Sequence, residues 1–374
     1  MKRLITLIIV VSGLLLAASC NNGNTTNQQA SADTAHTDSN PVASPSTKPT
    51  GPKPAWGQDI HPEMQAVLEK LASYNDAPIP TLTATQARQN HTPAEAVMAL
   101  VQQNNIPIPP SMVDTVGKEI PVDGGTIHIR IYTPKNTGRP LPMIVYYHGG
   151  GWVIADINTY NASALGLAQQ TNAIVVAVEY RKAPEHKFPV AVNDAFSAYK
   201  WVLKNAGTLQ GDGKKVALVG ESAGGNLAAN VSIIARDKGI QAPVYEVLIY
   251  PVASTVMNTA SYAKSDSTKP LDKAMMQWFF KQYAPMSSLS DPRINLVKAN
   301  LKGLPATTII TAELDPLHDD GQLLSDAMKA SGVTVNYKNY DGVTHEFFGM
   351  AIIVPEAKDA EALAATDLKN AFAK

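Results

Sequence analysis

The feature that most constrains this chain is one junction, where KVALV at 215–219 runs straight into GESAGGNLA at 220–228. The apolar run reads as a strand buried on both faces, and the small residues that follow read as the start of a helix. Gly220 and Gly224 leave room for Ser222 in a sharp, strained turn between the two, with the N–H groups and dipole of the new helix directed at its hydroxyl. A bare G-x-S-x-G also occurs where serine only caps a helix or sits in a loop. The strand before it and the helix after it favour an activated nucleophile here.

A second run, 142–147, ends in His148, Gly149, Gly150, Gly151 and Trp152. Three consecutive glycines cost backbone entropy, so a fold that keeps them needs unusual φ/ψ or close backbone approach. An oxyanion hole has that need, because backbone N–H groups must face a carbonyl oxygen with no side chain in the way. The competing reading is a flexible hairpin or a phosphate-binding loop. His148 reads as a loop anchor rather than a base.

The chain has eight histidines. In the order oxyanion loop, nucleophile, acid, base, only His318 and His345 follow Ser222. His318 lies three residues past Asp315 at an expected helix start, too close to occupy a separate loop. His345 follows a strand at 333–340 and a turn at Asp341-Gly342, so it is preferred as base over a reading as a surface histidine. The strand at 307–312 delivers Glu313 and Asp315 at its carboxyl end. Pro316 biases Asp315 to an extended backbone, so Asp315 is preferred as acid and Glu313 is the runner-up. Asp319, Asp320 and Asp341 read as helix-start and turn residues, and Tyr160, Asn193 and Asp194 as core-edge or helix residues. Glu221, beside the nucleophile, is expected to be buried and paired, with a partner the sequence does not name.

Strand-like runs at 126–133, 142–147, 173–180, 214–219, 243–250, 306–312 and 334–340 alternate with helical patterns. This predicts an α/β fold with a mostly parallel, doubly wound sheet, helices on both faces and right-handed crossovers. Ahead of it, Met64, Val67, Leu68 and Leu71 share one helical face, and Thr92-Pro93-Ala94-Glu95 starts a second helix carrying Ala96, Val97, Leu100 and Val101. With 374 residues, 45% hydrophobic and 17% charged, the chain has material for one large α/β domain or two small ones. A net charge of −1 leaves no basic surface for phosphates, which argues against nucleic acid as a partner.

Lys2 and Arg3 precede an apolar run at 4–18, too short to span a bilayer and suited to a secretory signal. Cys20, the only cysteine, follows directly in LAASC, which is similar to a bacterial lipobox although Ala17 stands where Leu is usual. The expectation is a signal peptide at 1–19 and a lipidated Cys20 holding an exported cell-envelope lipoprotein to a membrane. The alternative is soluble secretion, or release into the periplasm, after cleavage near Ser19. Residues 21–57 are rich in Asn, Thr, Ser, Gln and Pro, and are expected to form a tether with a span of roughly 30–35 Å.

HGGGW, EYRKAPEHKFP at 179–189, GESAGGNLA, LIYP at 248–251, AELDPLHDDG at 312–321 and YDGVTHEFFGM at 340–350 together resemble the bacterial hormone-sensitive-lipase-like esterases of the α/β-hydrolase fold. The likeness runs from about residue 61 to the C-terminus. It implies Ser222 as nucleophile, His345 as base and Asp315 as acid, with the N–H groups of Gly150, Gly151 and Ala223 as oxyanion donors. It also implies a hydrolase domain at 58–374 whose cap comes from the N-terminal helices (about 58–115) and an insertion (about 252–290). The expected activity is hydrolysis of short-chain carboxylic esters through an acyl-enzyme. No metal or cofactor is expected, since the chain has no cysteine cluster, no HExxH and no GxGxxG after the first strand. Two departures from the family pattern stand beside the expected site: Glu221 where Asp is common, and Glu346, after the base, where Gly is common. Glu346 is expected to alter the leaving-group side of the pocket. The rival readings are a non-catalytic small-molecule binder on a hydrolase scaffold, and an amidase or peptidase with the same triad.

Overall fold

A computed structural model describes residues 47–135 and 140–374. Cys20, the expected signal peptide and most of the expected tether lie outside the described residues. In chain order the elements are α1 (Pro62–Ala72), α2 (Ala84–Ala87), α3 (Pro93–Gln103), β1 (Val113–Val122), β2 (Gly125–Pro134), β3 (Leu141–Tyr147), α4 (Asn161–Thr171), β4 (Ile174–Glu179) and α5 (Val190–Asn205). They continue as β5 (Gly211–Glu221), α6 (Ala223–Asp237), β6 (Glu246–Ile249), α7 (Ala260–Lys264), α8 (Lys273–Tyr283), β7 (Thr307–Leu314), α9 (His318–Ala330), β8 (Val335–Thr344) and α10 (Pro355–Phe372).

The eight strands form one sheet in the order β1-β2-β4-β3-β5-β6-β7-β8. From β4 through β8 all neighbours are parallel, whereas β2 runs antiparallel to both β1 and β4. Alternation along the central strands feeds two cores. Val145, Val176 and Leu218 face a layer containing Val192 and Phe196 of α5, Leu227 and Val231 of α6 and Leu324 of α9. Tyr146, Val175 and Val219 face the opposite layer, with Leu167 of α4, Leu368 of α10 and Val67 of α1. Both faces being covered explains why these strands read as nearly continuous apolar runs.

Each of the seven expected strands overlaps an observed one, and β1 is additional. Along β1 only Val113 and Ile120 are buried, so its sequence carries almost no apolar alternation. It exists because the Asp123-Gly124 turn folds it back onto β2, pairing Val122 with Gly125. A second difference concerns Asp341-Gly342, expected as a turn after the last strand, which lies inside β8. Gly342 has φ +69°, and the pairing of β7 with β8 is irregular between Ala312 and Leu314. The Gly342 N–H donates to Glu313 Oε2 at 2.8 Å, which gives that carboxylate a structural partner.

The N-terminal helices form as expected. Thr92 and Glu95 make a reciprocal capping box at the start of α3, and Met64, Val67 and Leu68 of α1 are buried. Residues 47–57, inside the stretch expected to be tether, pack on α1. The Glu69 carboxylate accepts from the Thr50 N–H (2.6 Å), the Thr50 hydroxyl (2.8 Å) and the Gly51 N–H (3.0 Å). Gln65 adds bonds to the carbonyls of Gly51 and Pro52. A polar segment that cannot build a core is thus tied to α1 by Glu69 and Gln65. Among the described residues no helix is long and apolar enough to cross a membrane.

Partial burial acts to raise the Glu69 pKa, but the bonds from Thr50, Gln65 and Gly51 prevail and hold it below its ordinary value. A depressed carboxylate pKa contributes stability present above the unfolded value and lost as pH falls through the folded one. The strap at 47–57 should therefore resist proteolysis at neutral pH and become susceptible as the pH drops through the acid end of the carboxylate range. Glu69→Ala should make it susceptible at pH 7. Equal cleavage of both proteins at pH 7 would show that Glu69 does not hold the strap.

Candidate active site

The junction after β5 has the predicted strain. Ser222 sits at φ +56° and ψ −117°, between the last residue of β5 and the first of α6. Two glycines permit it: a Cβ on Gly220 would lie 2.1 Å from the Gly224 carbonyl oxygen, and one on Gly224 would lie 2.0 Å from that of Tyr147. The turn is held by bonds from the Ser222 N–H to the Ile249 carbonyl (2.8 Å) and from the Val252 N–H to the Ser222 carbonyl (3.1 Å). Asn226, buried one turn into α6, donates to the carbonyls of Val252 and Ile294.

The irregular end of β8 brings His345 to this serine. His345 Nε2 lies 2.9 Å from Ser222 Oγ, and His345 Nδ1 lies 2.6 Å from Asp315 Oδ2. Because Asp315 accepts from Nδ1–H, Nε2 is left to accept the serine proton. The other Asp315 oxygen accepts from the Leu317 N–H at 2.8 Å, and all three side chains are buried. Burial opposes a charged imidazole at His345. Attraction to Asp315 and its hydrogen bond, with the charges of Glu346 and Glu221 behind them, outweighs that and holds its pKa above the ordinary 6.5.

The glycine run lies across from Ser222. Gly150 and Gly151 have φ +93° and +58°, a Cβ on Gly150 would meet the Ile154 carbonyl, and one on Gly151 would enter the Phe279 ring of α8. Among the described residues no acceptor engages the N–H groups of Gly150, Gly151 or Ala223. The Tyr180 hydroxyl donates to the carbonyls of His148 and Gly149. His148 stacks on the Tyr180 ring at 4.3 Å and bonds the Gly149 carbonyl through Nδ1. Burial lowers its pKa, so it stays neutral as an anchor of this loop.

Ser222, Gly150, Gly151 and His345 open onto one cavity of about 930 Å³. Its walls include Leu68 and Leu71 of α1, Ile79, and Met275, Met276 and Phe279 of α8. The Trp278 indole N–H donates to the Leu82 carbonyl at 3.1 Å, joining α8 to the N-terminal segment above the site. No cluster of potential metal ligands occurs among the described residues.

A family model for the alpha/beta hydrolase fold matches residues 144–349. Carboxylesterase NlhH of Mycobacterium tuberculosis is 34% identical over 87% of this chain and 99% of its own. Ethyl acetate hydrolase of Pseudomonas putida is 31% identical over 80% of this chain and 95% of its own. The chain belongs to the hormone-sensitive-lipase-like esterases of the α/β-hydrolase fold. It is a carboxylesterase. Among solved structures, a Pyrobaculum calidifontis esterase superposes with a TM-score of 0.73 at 36% identity, covering 80% of this chain and 97% of that one. A thermostable Pseudomonas putida esterase gives 0.77 at 30% identity, covering 86% and 99%.

Four acids of the esterase have hydrogen-bond partners that the sequence does not name. Glu221 is buried beside Ser222 and accepts from the hydroxyls of Tyr146 on β3 and Tyr250 after β6. Burial pushes its carboxyl up, against the lowering effect of those two donors. The signal for this partner set was an aromatic residue at the carboxyl end of each strand flanking β5. Asp194, read as an ordinary helix residue, is buried and takes both Arg181 Nε (2.9 Å) and Nη2 (2.6 Å), fixing the EYRKAPEHKFP segment. Asp320 does lie in the first turn of α9, but its carboxylate turns inward and accepts from the N–H groups of Ala253 and Ser254. Burial raises it to about 8. The fourth is Glu346, whose Oε1 accepts from the Tyr160 hydroxyl at 2.7 Å. Tyr160, read as a core-edge residue, also fills the space where a Cβ on Gly149 would be.

Replacing Glu221 by Ala would strand two buried tyrosine hydroxyls, each costing about 1–3 kcal/mol. Urea denaturation of Glu221→Ala should show a loss of roughly 2–5 kcal/mol, with Glu221→Gln milder because the amide oxygen still accepts. A loss under about 1 kcal/mol for the alanine variant would mean that the tyrosines find other partners.

Proposed function

We propose that this esterase hydrolyses short-acyl esters through a Ser222–His345–Asp315 triad and an acyl-enzyme intermediate. The observation that carries the reading is the continuous line from Ser222 Oγ through His345 to Asp315, at 2.9 and 2.6 Å, in the wall of a cavity large enough for an ester. His345 Nε2 takes the Ser222 proton as Oγ attacks the carbonyl carbon. Charge building on the carbonyl oxygen meets the unengaged N–H groups of Gly150, Gly151 and Ala223. Collapse breaks the ester C–O bond, and His345 returns its proton to the departing alcohol oxygen. Water then attacks the acyl group by the same route and releases Ser222 and the acid. Asp315 holds the imidazole tautomer and stabilises the imidazolium.

Dissolved, monomeric esters fit the site better than a lipid droplet. Arg88, Asp156, Lys182, Lys269 and Asp272 ring the cavity with charge, where an interface-binding lid needs a broad apolar face. The name of the Pseudomonas putida relative, an ethyl acetate hydrolase, agrees with a small acyl group. A scaffold kept only for binding has no use for three buried side chains aligned in this way. Parallel assays on a matched ester and anilide separate an esterase from an amidase. We also propose that Cys20 is the lipidated anchor of an envelope lipoprotein. Finding the native protein wholly in the soluble fraction of its cell would exclude that.

Ser222→Ala, His345→Ala and Asp315→Asn should each lower kcat by about 10⁴-fold or more, with double variants little worse than single ones. Glu313→Gln should be mild, since Glu313 is occupied by the Gly342 N–H. Severe loss in Glu313→Gln with mild loss in Asp315→Asn would reverse the acid assignment.

The pH profile follows from the raised pKa of His345. Only the neutral imidazole accepts the serine proton, so kcat/KM should fall on the acid side with a midpoint above the ordinary histidine value of 6.5. Asp315→Asn should move that midpoint down in its residual activity. A wild-type midpoint well below 6.5 would contradict the role given to Asp315.

Across a series of aryl esters, kcat/KM should rise with acyl length while each methylene adds about 0.8 kcal/mol of burial. It should then decline beyond about eight carbons as the wall is met. A continued climb to palmitoyl esters, with a jump in rate once droplets form, would identify a lipase instead.

A further inference from the structure

Glu346 stands out from every other charged group lining the cavity. It follows His345 directly and holds φ +69°, a left-handed conformation that an L side chain adopts at a cost. Its Oε1 is fixed by the Tyr160 hydroxyl, while its second oxygen has no partner among the described residues and is not sealed off from solvent. Every other charged side chain of the cavity has either an ion-pair partner or several local hydrogen bonds. Arg88 pairs with Glu185, Lys182 with Glu179 and Lys269 with Asp272. Asp76 meets His91, and the Asp156 carboxylate is taken up by the N–H groups of Asn158 and Thr159. Glu346 has no ion-pair partner among the described residues, so its negative charge is presented to whatever lies beside His345.

The chemistry of the triad says what lies there. His345 hands its proton to the departing alcohol oxygen, so the alcohol portion of the ester must rest against His345 and, with it, against Glu346. On the strength of the function proposed above, we propose that Glu346 is a specificity residue for the leaving group and selects esters of alcohols that carry a positive charge, such as amino alcohols. The reaction is unchanged: water adds across the ester bond, the alcohol departs with the proton from His345, and its cationic nitrogen remains paired with Glu346 until release. Strain at a non-glycine residue is thus retained where it places a carboxylate beside the scissile bond. The Tyr160 hydroxyl holds one oxygen of that carboxylate and leaves the other for the leaving group.

The test compares 2-(trimethylammonio)ethyl acetate with 3,3-dimethylbutyl acetate, which match in shape and differ by one charge. For the wild type the ratio of kcat/KM, cationic over neutral, should be about tenfold at low ionic strength and shrink as salt is added. In Glu346→Gln and in Glu346→Gly the ratio should fall to about one. Glycine adopts φ +69° without strain, so the second variant removes the carboxylate while easing the backbone. The ratio within each enzyme is the readout, so a change in overall rate does not obscure it. A wild-type ratio of one or less overturns the proposal. So does a tenfold ratio that survives in either variant, or failure to cleave both acetates while aryl esters are still cleaved. Loss of all ester cleavage in the wild type would instead sink the underlying function.

Discussion

Backbone meets backbone at the start of α6, and the rest of the site follows from that contact. With no Cβ at Gly220 or Gly224, the first turn of the helix settles onto the carbonyl oxygens at the end of β3, an approach of about 2 Å for any added Cβ. The close fit forces Ser222 into φ +56°, a conformation that costs on the order of 1–3 kcal/mol. Hydrogen bonds from Ser222 to Ile249 and from Val252 to Ser222 offset it by pinning the turn to the neighbouring strand end. The same contact abuts the glycine loop, because β3 runs directly into His148 and Gly149. Ser222 and the glycine loop are therefore set by one piece of packing, and the helix N-terminus adds its dipole at the same point.

Beneath the serine lies a layer of carboxylates and tyrosines instead of apolar side chains. Glu221 accepts from Tyr146 and Tyr250 in the core under Ser222, while Glu346 accepts from Tyr160 in the cavity wall beside His345. Each carboxylate accepts from hydroxyl donors, and neither has a cationic partner among the described residues. In the triad proposed above, negative charge held at these positions would add to the effect of Asp315 in favouring a charged His345. The arrangement also joins loops: Tyr160 touches the glycine loop and the base loop at once, so the two halves of the site share a support.

Much of this was legible because the motifs carry their own geometry. The elbow, the glycine loop and the order of Ser222, Asp315 and His345 follow from residue types whose backbone demands are local, and the apolar runs follow from burial on both faces. What escaped was non-local. β1 is exposed along most of its length, with only two buried residues, and is defined by pairing with β2 through a two-residue turn. The partners of Glu221 come from two strands 75 and 29 residues away, and Tyr160 reaches Glu346 across 186 residues. The strap at 47–57 is tied down by Glu69 and Gln65 of α1, and its own sequence carries no apolar period. Asp341-Gly342 looked like a turn because Gly marks positive φ, and here that conformation serves an irregularity within a strand.

The central claim is that Ser222 becomes covalently acylated, and mass spectrometry of enzyme quenched in acid during turnover of an activated ester tests it directly. The account predicts one acyl group per chain, confined to the peptide containing Ser222, formed in a burst and absent from Ser222→Ala. Acyl transfer to another residue, or full turnover with no covalent species and no burst even under conditions that slow deacylation, would contradict it.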